Sequence, residues 1–75
     1  TAPTPTRERL ITEAIRLFGD KGFEATSVSQ IEAAAGLSAG SGALYRHFKS
    51  KDDVLTACIG VTLLRIALRA GESSM

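Results

Sequence analysis

Apolar residues recur at helical spacing near the start of the chain. They lie three or four positions apart, which is typical of the buried face of an amphipathic helix: Leu10, Ile11, Ala14, Ile15, Leu17 and Phe18. Thr6 is expected to cap the start of this helix, and Gly22 can supply the left-handed residue that ends it. Residues 1–6, which include both prolines of the chain, are expected to form a disordered arm.

A second, shorter helix is predicted after Phe23, whose ring is expected to fold back onto the core. Ser27 and Gln30 have the spacing of a capping box, and Thr26 is the alternative cap. Gly36 is expected to end this helix, because glycine is the usual residue at that position. The apolar stripe of the helix is short and consists of Val28, Ile31, Ala34 and Ala35.

A third helix is expected after a brief turn in which Leu37 anchors the chain. Ser38 is its predicted cap, and Leu44 and Phe48 would be its inward-facing residues. Two short helices joined by a glycine turn form a helix-turn-helix, whose second helix can enter the major groove of DNA. Residues 39–43 also have the composition of a flexible linker, so a locally disordered third helix is the alternative.

A fourth helix is predicted from Ser50, which begins an S-x-x-D capping box, to about Ala70, with a frayed tail over residues 71–75. Its apolar residues cover most of its circumference: Val54, Leu55, Ala57, Cys58, Ile59, Val61, Leu63, Leu64, Ile66, Ala67 and Leu68. Such a helix must be buried on several sides. Three short helices can cover only one face of its first half, so the region from Val61 to Leu68 needs a further partner; an exposed or frayed far end is the alternative.

The predicted fold class is therefore all-α: a three-helix bundle with a helix-turn-helix, plus the start of a fourth, linking helix. The chain shows no strand signal and no internal repeat. Its 75 residues are enough for one small domain.

The charge distribution says more than the net charge of +1, which is weak for a nucleic-acid binder. Five acids lie in the first half of the chain: Glu8, Glu13, Asp20, Glu24 and Glu32. Between Ser38 and Lys51 there is no acid, and the charged or titratable residues are Arg46, His47, Lys49 and Lys51. This segment would place basic groups where phosphates lie.

Other classes of protein fit the sequence poorly. The single cysteine excludes an internal disulfide and fits a reducing cytoplasm. No signal peptide is visible, and the apolar run from Val54 to Leu64 is shorter than the roughly 20 residues of a membrane span. An enzyme is not expected, because Ser41 and His47 do not face each other on a helix and no carboxylate pair, metal site or cofactor loop is present.

The chain resembles the DNA-binding domain of the TetR family of bacterial transcriptional regulators. The residues that carry the resemblance are Ile15, Leu17-Phe18, Gly22-Phe23, Ala25-Thr26-Ser27-Val28, Ile31, Ala35-Gly36-Leu37-Ser38, Leu44-Tyr45-Arg46-His47-Phe48, Ser50-Lys51-Asp52 and Leu55. There is one departure. Gly36 and Tyr45 are nine positions apart, about two more than is usual in the family, and the extra length falls within residues 39–43.

This resemblance implies that residues 7–53 form a helix-turn-helix DNA-binding domain. Residues 54–70 would form a helix that links it to a C-terminal domain outside this chain. That domain would bind a small-molecule effector and form a homodimer. The whole protein would be a cytoplasmic repressor that binds a palindromic operator in double-stranded DNA and is released by the effector. No cofactor, metal or membrane partner is expected. A helix-turn-helix that serves as a protein-interaction module, with the fourth helix as its docking surface, is the alternative.

The predicted DNA-binding residues lie on both sides of the turn: Thr26, Ser27, Ser38, Ala39, Gly40, Ser41, Gly42, Tyr45, Arg46, His47, Lys49 and Lys51. Tyr45, His47 and Lys51 are expected to contact phosphates, Lys51 from the first turn of the fourth helix. The small residues from Ser38 to Ala43 offer few groups that read bases. Base preference would therefore depend partly on Arg46, on duplex shape, and on Arg7 or Arg9.

Overall fold

The computed structural model describes residues 5–73, and the regular structure among them is entirely helical. Helix α1 spans Pro5–Lys21, α2 spans Val28–Ala34 and α3 spans Lys51–Ser73. Between α2 and α3 lies one 3-10 turn, Ala43–Arg46. The all-α class predicted from the sequence is confirmed, with a single-turn element where a third α-helix was expected.

Helix α1 begins earlier than predicted. Pro5 and Thr6 are helical rather than part of a disordered arm, and residues 1–4 lie outside the described part of the chain. Proline is well suited to the first helical position, because its missing N–H would have no partner there and its φ is already helical. At the other end Gly22 adopts φ 90° and its N–H donates to the carbonyl of Phe18 (2.9 Å), as the stop signal predicted.

Both ends of α2 are as the sequence predicted. The Ser27 hydroxyl accepts from the N–H of Gln30 (3.1 Å), and the Gln30 side chain accepts from the N–H of Ser27 (3.0 Å), which completes the capping box. Gly36 has φ 84° and its N–H donates to the carbonyl of Ala33 (3.1 Å). The N–H of Leu37 donates to the carbonyl of Glu32 (2.8 Å), so the helix ends in a Schellman motif.

The third α-helix predicted from Ser38 is wrong. Gly40 and Gly42 adopt φ values of 76° and 82°, which interrupt any right-handed helix across this segment. The chain instead forms a loop over residues 38–42, here called the tip loop, and then the 3-10 turn. Leu44 and Phe48 nevertheless face inward as expected, both being buried.

The core lies where α1 crosses α2 and the first half of α3. Its largest fully buried apolar side chains are Leu10, Ile31, Leu44 and Val54. Ala34 was expected in the apolar stripe of α2 but is exposed, whereas the neighbouring positions Ile31 and Ala35 are buried. Two polar side chains are also buried, Thr26 and Glu32.

Helix α3 is longer than predicted, since residues 71–73 continue it instead of fraying, while residues 74 and 75 lie outside the described range. Its first half packs against α1 through Val54 and Cys58. Beyond them Val61 is partly buried and packs against the same core. Five large apolar side chains of this part are more than half exposed: Ile59, Leu63, Leu64, Ile66 and Leu68. The cover thus reaches one turn further than the apolar pattern predicted, to Val61, and the surface from Leu63 to Leu68 is uncovered as expected.

By length and composition alone, the segment Lys51–Gly71 is sufficient to cross a membrane, with 21 residues and a mean hydropathy of 1.6. The sequence-based expectation had considered only the run from Val54 to Leu64 and so underestimated this stretch. Composition is weak grounds for a span, because Val54 and Cys58 in the same segment belong to the core of the small domain. Inserting this segment into a bilayer would remove both residues from that core.

Candidate nucleic-acid interface

The tip loop is fixed from beneath by the side chain of Glu32. The N–H of Gly40 donates to Oε1 of Glu32 (2.9 Å), and the N–H of Leu44 donates to Oε2 (3.1 Å). Two further bonds close the loop on itself: Ser41 N–H to the carbonyl of Ser38 (3.1 Å), and Ala43 N–H to the hydroxyl of Ser41 (3.3 Å). The loop is thus an ordered turn rather than a flexible linker.

Small side chains lie on the outside of this loop. Ser38, Ala39, Gly40 and Ser41 are exposed, and Gly42 is partly exposed. None of them extends far from the backbone, so a flat or grooved partner can approach the main chain closely. The available chemistry at the tip is two hydroxyls, one methyl group and backbone polar groups.

The 3-10 turn places Leu44 in the core and the next two residues in solvent. Leu44 is fully buried, whereas Tyr45 is 55% exposed and Arg46 is exposed. Backbone bonds fix this arrangement, with Tyr45 N–H donating to the carbonyl of Gly42 (3.0 Å) and His47 N–H to that of Leu44 (3.0 Å). The phenol and the guanidinium therefore face solvent next to the tip loop.

His47 and Lys49 complete the basic run after the 3-10 turn. His47 is partly exposed and Lys49 is exposed. The N–H of Lys49 donates to the Asp53 carboxylate (3.0 Å), and Asp53 N–H donates to the Ser50 hydroxyl (3.2 Å). Ser50 therefore caps α3 as predicted, while the acid of the S-x-x-D pattern binds the residue before the cap.

Lys51 lies in a different environment from the one expected for a phosphate ligand. Its Nζ donates to the carbonyls of Phe23 (2.8 Å) and Thr26 (3.1 Å), and lies 4.1 Å from the centroid of the Phe23 ring. The ammonium thus joins the first turn of α3 to the loop between α1 and α2. Sequence reasoning missed this arrangement because the carbonyls are more than twenty positions away in the chain.

Thr26 is not placed for DNA contact through its hydroxyl. The side chain is 1% exposed, and its hydroxyl donates to the carbonyls of Gly22 (2.8 Å) and Leu17 (3.3 Å) at the end of α1. Its N–H donates to the carbonyl of Phe23 (3.3 Å). Ser27 is exposed, and its hydroxyl hydrogen remains able to donate while the oxygen caps α2.

The two arginines of early α1 lie beside the segment that runs from Gly36 to Phe48. The guanidinium of Arg7 is 5.1 Å from the centroid of the Phe48 ring. Arg9 is exposed and passes beside Gly36, where an added Cβ would lie 3.6 Å from Arg9 Nη1. Positive charge from α1 is therefore added to that of the basic run.

No group of three or more His, Cys, Asp or Glu side chains able to hold a metal ion occurs among residues 5–73. Cys58 is buried, its Sγ lies 3.8 Å from the carbonyl of Ile11, and burial raises the pKa of its thiol above 9.0. The residue that sequence reasoning overlooked at the interface is Glu32. Its signal was an acid inside the small apolar stripe of α2, adjacent to Ile31.

Comparisons with known proteins show the family to which the chain belongs. Residues 10–58 match the family described as bacterial regulatory proteins, tetR family. The chain is 49% identical over 53 residues to the uncharacterized HTH-type transcriptional regulator YerO of Bacillus subtilis (strain 168), covering 69% of this chain and 18% of that protein.

Two further relatives give similar alignments. The HTH-type transcriptional repressor KstR2 of Mycolicibacterium smegmatis is 42% identical over 53 residues, and this alignment covers 71% of this chain and 25% of KstR2. The HTH-type transcriptional regulator AcrR of Shigella flexneri is 41% identical over 51 residues, and this alignment covers 68% of this chain and 23% of AcrR. The alignments thus cover a quarter or less of the length of these three relatives. No solved structure gives a significant match.

Proposed function

Because the chain belongs to the TetR family of bacterial regulatory proteins, we propose that it is part of a repressor that a small ligand releases from DNA. Within this family it is an N-terminal helix-turn-helix domain, which binds DNA and regulates transcription. In this proposal the intact protein is cytoplasmic and binds a palindromic operator as a homodimer. A small-molecule effector, bound by a C-terminal domain, releases it. The similarity to relatives named as regulators and a repressor supports the proposal.

The main support for a DNA interface at this surface is the position of Tyr45 and Arg46. Both are exposed beside a tip loop of small residues, and Lys49 follows in the same acid-free segment. Phosphate contacts position a protein on the duplex, and contacts to base edges specify sequence. We assign Tyr45, His47 and Lys49 to phosphates, and Ser41 and Arg46 to base edges.

The remaining predicted DNA-binding residues fall into two groups, those that are accessible to solvent and those whose side chains are occupied by bonds within the chain. Those that are exposed or partly exposed can approach the duplex directly: Ser27, Ser38, Ala39, Gly40 and Gly42. Thr26 and Lys51 hold the loop before α2 in place through their bonds to backbone carbonyls. Any contribution of these two residues to DNA affinity would then be indirect.

A salt titration tests the proposed phosphate contacts. If Lys49, Arg7 and Arg9 neutralise about three phosphates per half-site, the logarithm of affinity for duplex DNA should fall with the logarithm of salt concentration at a slope of about −3. Tyr45→Phe should weaken binding to all sequences alike, whereas Ser41→Ala and Arg46→Ala should change the sequences selected from random DNA. A flat salt response would contradict DNA binding, and unchanged selection by both variants would contradict the assignment of the readers.

The exposed apolar end of α3 is the observation that favours a further domain. In the proposal, the effector-binding and dimer-forming part of the protein packs against this surface and sets the separation of the two helix-turn-helix units. Half-sites would then lie about 34–36 Å apart or at a multiple of that distance. Loss of the dimer would cost roughly 10²–10⁴ in avidity for the operator.

The same apolar surface also fits the alternative, a helix-turn-helix used as a protein-interaction module. The two functions differ in their response to DNA. A module of that kind would show no salt-dependent affinity for duplex DNA, and substitution of Tyr45 or Lys49 would leave its partner binding unchanged. Electrophoretic shift of random duplex by the intact protein separates the two.

A further inference from the structure

Glu32 is a fully buried acid that lies at the base of the tip loop, and the function assigned to the exposed residues does not account for it. Its side chain has 0% exposure, and both carboxylate oxygens accept hydrogen bonds from backbone N–H groups. Its own carbonyl accepts the N–H of Leu37 that ends α2. One residue therefore both ends the helix and holds the loop that follows it.

The two N–H groups that Glu32 binds enclose the segment in which the chain is longer than usual. Gly40 and Leu44 stand on either side of Ser41, Gly42 and Ala43. Gly40 and Gly42 both have positive φ, which bends the loop so that the two N–H groups reach one carboxylate. The Leu44 N–H is buried, and a buried N–H without an acceptor is destabilising.

We propose that Glu32 is a positioning residue for DNA recognition, which accommodates the lengthened tip loop and fixes the placement of Ser41 and Tyr45 toward the duplex. This inference rests on the proposed function of the interface. It assigns Glu32 no contact with DNA, because the residue is buried beneath the loop. The carboxylate replaces the hydrogen bonds that a continuous helix would have given to these N–H groups.

Amide hydrogen exchange in the intact protein tests the hydrogen bonds directly. Glu32→Ala should accelerate exchange at both Gly40 and Leu44 by roughly tenfold or more relative to the amides of α1. Glu32→Gln retains one carbonyl acceptor, so one of the two amides should keep most of its protection. Unchanged protection at both amides in either folded variant would overturn the proposal, and a Glu32→Ala chain that does not fold leaves the Gln variant to decide.

Shortening the loop tests whether Glu32 and the extra residues are matched. Deletion of Ser41 and Gly42 joins Gly40 to Ala43 and returns the spacing from Gly36 to Tyr45 to the shorter one. In this background Glu32→Ala should lower the Tm by less than half as much as in the natural chain, because the lengthened loop is gone. An equal loss of Tm in both backgrounds would show that Glu32 stabilises the core without any specific role in the lengthened loop.

Sequence selectivity separates positioning from stability. A duplex selected from random DNA by the natural protein is compared with unselected duplex, and Glu32→Gln should lower the ratio of the two affinities by roughly tenfold. Glu24→Gln, which removes the same charge from an exposed position, should leave the ratio unchanged. A natural protein that binds neither duplex would refute the proposed function, whereas normal selectivity of Glu32→Gln would refute the positioning inference alone.

Discussion

The two halves of α3 both carry apolar side chains, but those side chains have different surroundings. In the packed half, residues 51–58, Val54 is fully buried and Cys58 is 4% exposed. In the exposed half, residues 59–71, Leu63, Leu64 and Leu68 are each about 60% exposed. The same helical backbone runs through both. Local sequence therefore determines the helix, and tertiary contact alone determines which of its apolar residues contribute to stability.

This difference has a direct energetic meaning. A buried apolar side chain contributes roughly 1.5–3 kcal/mol, whereas one left in water contributes little to the folding of the domain. The stability of the small domain should therefore depend on the packed half. The exposed half should become important only when another part of the protein covers it.

The largest effect is expected for Val54→Ala in the packed half. The substitution removes two methyl groups from a fully buried site and should lower the free energy of unfolding by about 2 kcal/mol. Urea denaturation of the 75-residue chain measures the loss. Leu68→Ala, which removes more carbon from the exposed half, should cost less, and the reverse order would invalidate the comparison.

Lys51→Met should give the next largest effect, about 1.5 kcal/mol. Methionine keeps most of the side-chain volume but leaves the carbonyls of Phe23 and Thr26 without their charged donor. Lys49→Met is the matched control at an exposed position and should leave the melting temperature unchanged. Equal melting temperatures for both variants would mean that the ammonium of Lys51 does not hold the loop.

Alkaline pH should produce a smaller loss of stability through Cys58. Burial raises the pKa of its thiol above 9.0, so the folded state retains the proton to higher pH than the unfolded state. Stability should therefore fall as pH rises past about 9.0, where the unfolded thiol ionises first. Comparing the pH dependence of unfolding with that of Cys58→Ala isolates this contribution, and identical slopes would exclude it.

The smallest effect is expected from Leu68→Gln in the exposed half. Stability of the 75-residue chain should stay within about 0.5 kcal/mol, because the side chain is already exposed to water. Sedimentation should show weaker self-association, since the variant interrupts the exposed apolar surface. A loss comparable to that of Val54→Ala would show that the exposed half is packed in solution.

Local signals predicted much of this structure correctly. The capping box of Ser27 and Gln30, and the helix stops at Gly22 and Gly36, depend on neighbours within four or five residues and were all confirmed. The burial of Leu44 and Phe48 followed from their apolar character alone. The partial cover of α3 followed from an apolar pattern wider than three short helices can bury.

Predictions that depended on distant partners were less successful. The loop that takes the place of the predicted third α-helix is held by Glu32, which supplies acceptors to N–H groups eight and twelve positions away. The inward position of Lys51 depends likewise on carbonyls near the end of α1. Neither pairing has a local pattern, so the sequence did not indicate it. The DNA contacts themselves stay predictions until they are measured.

In the tip loop, the groups that keep the chain folded are distinct from the side chains that face solvent. Its shape is maintained by backbone N–H groups and by two glycines, while the side chains of Ser38 and Ala39 are exposed to solvent. Surface substitutions at such positions usually alter stability by less than about 0.5 kcal/mol. If the tip loop contacts DNA as proposed, descendants of this sequence can acquire new target preferences one residue at a time without first acquiring stabilising mutations elsewhere.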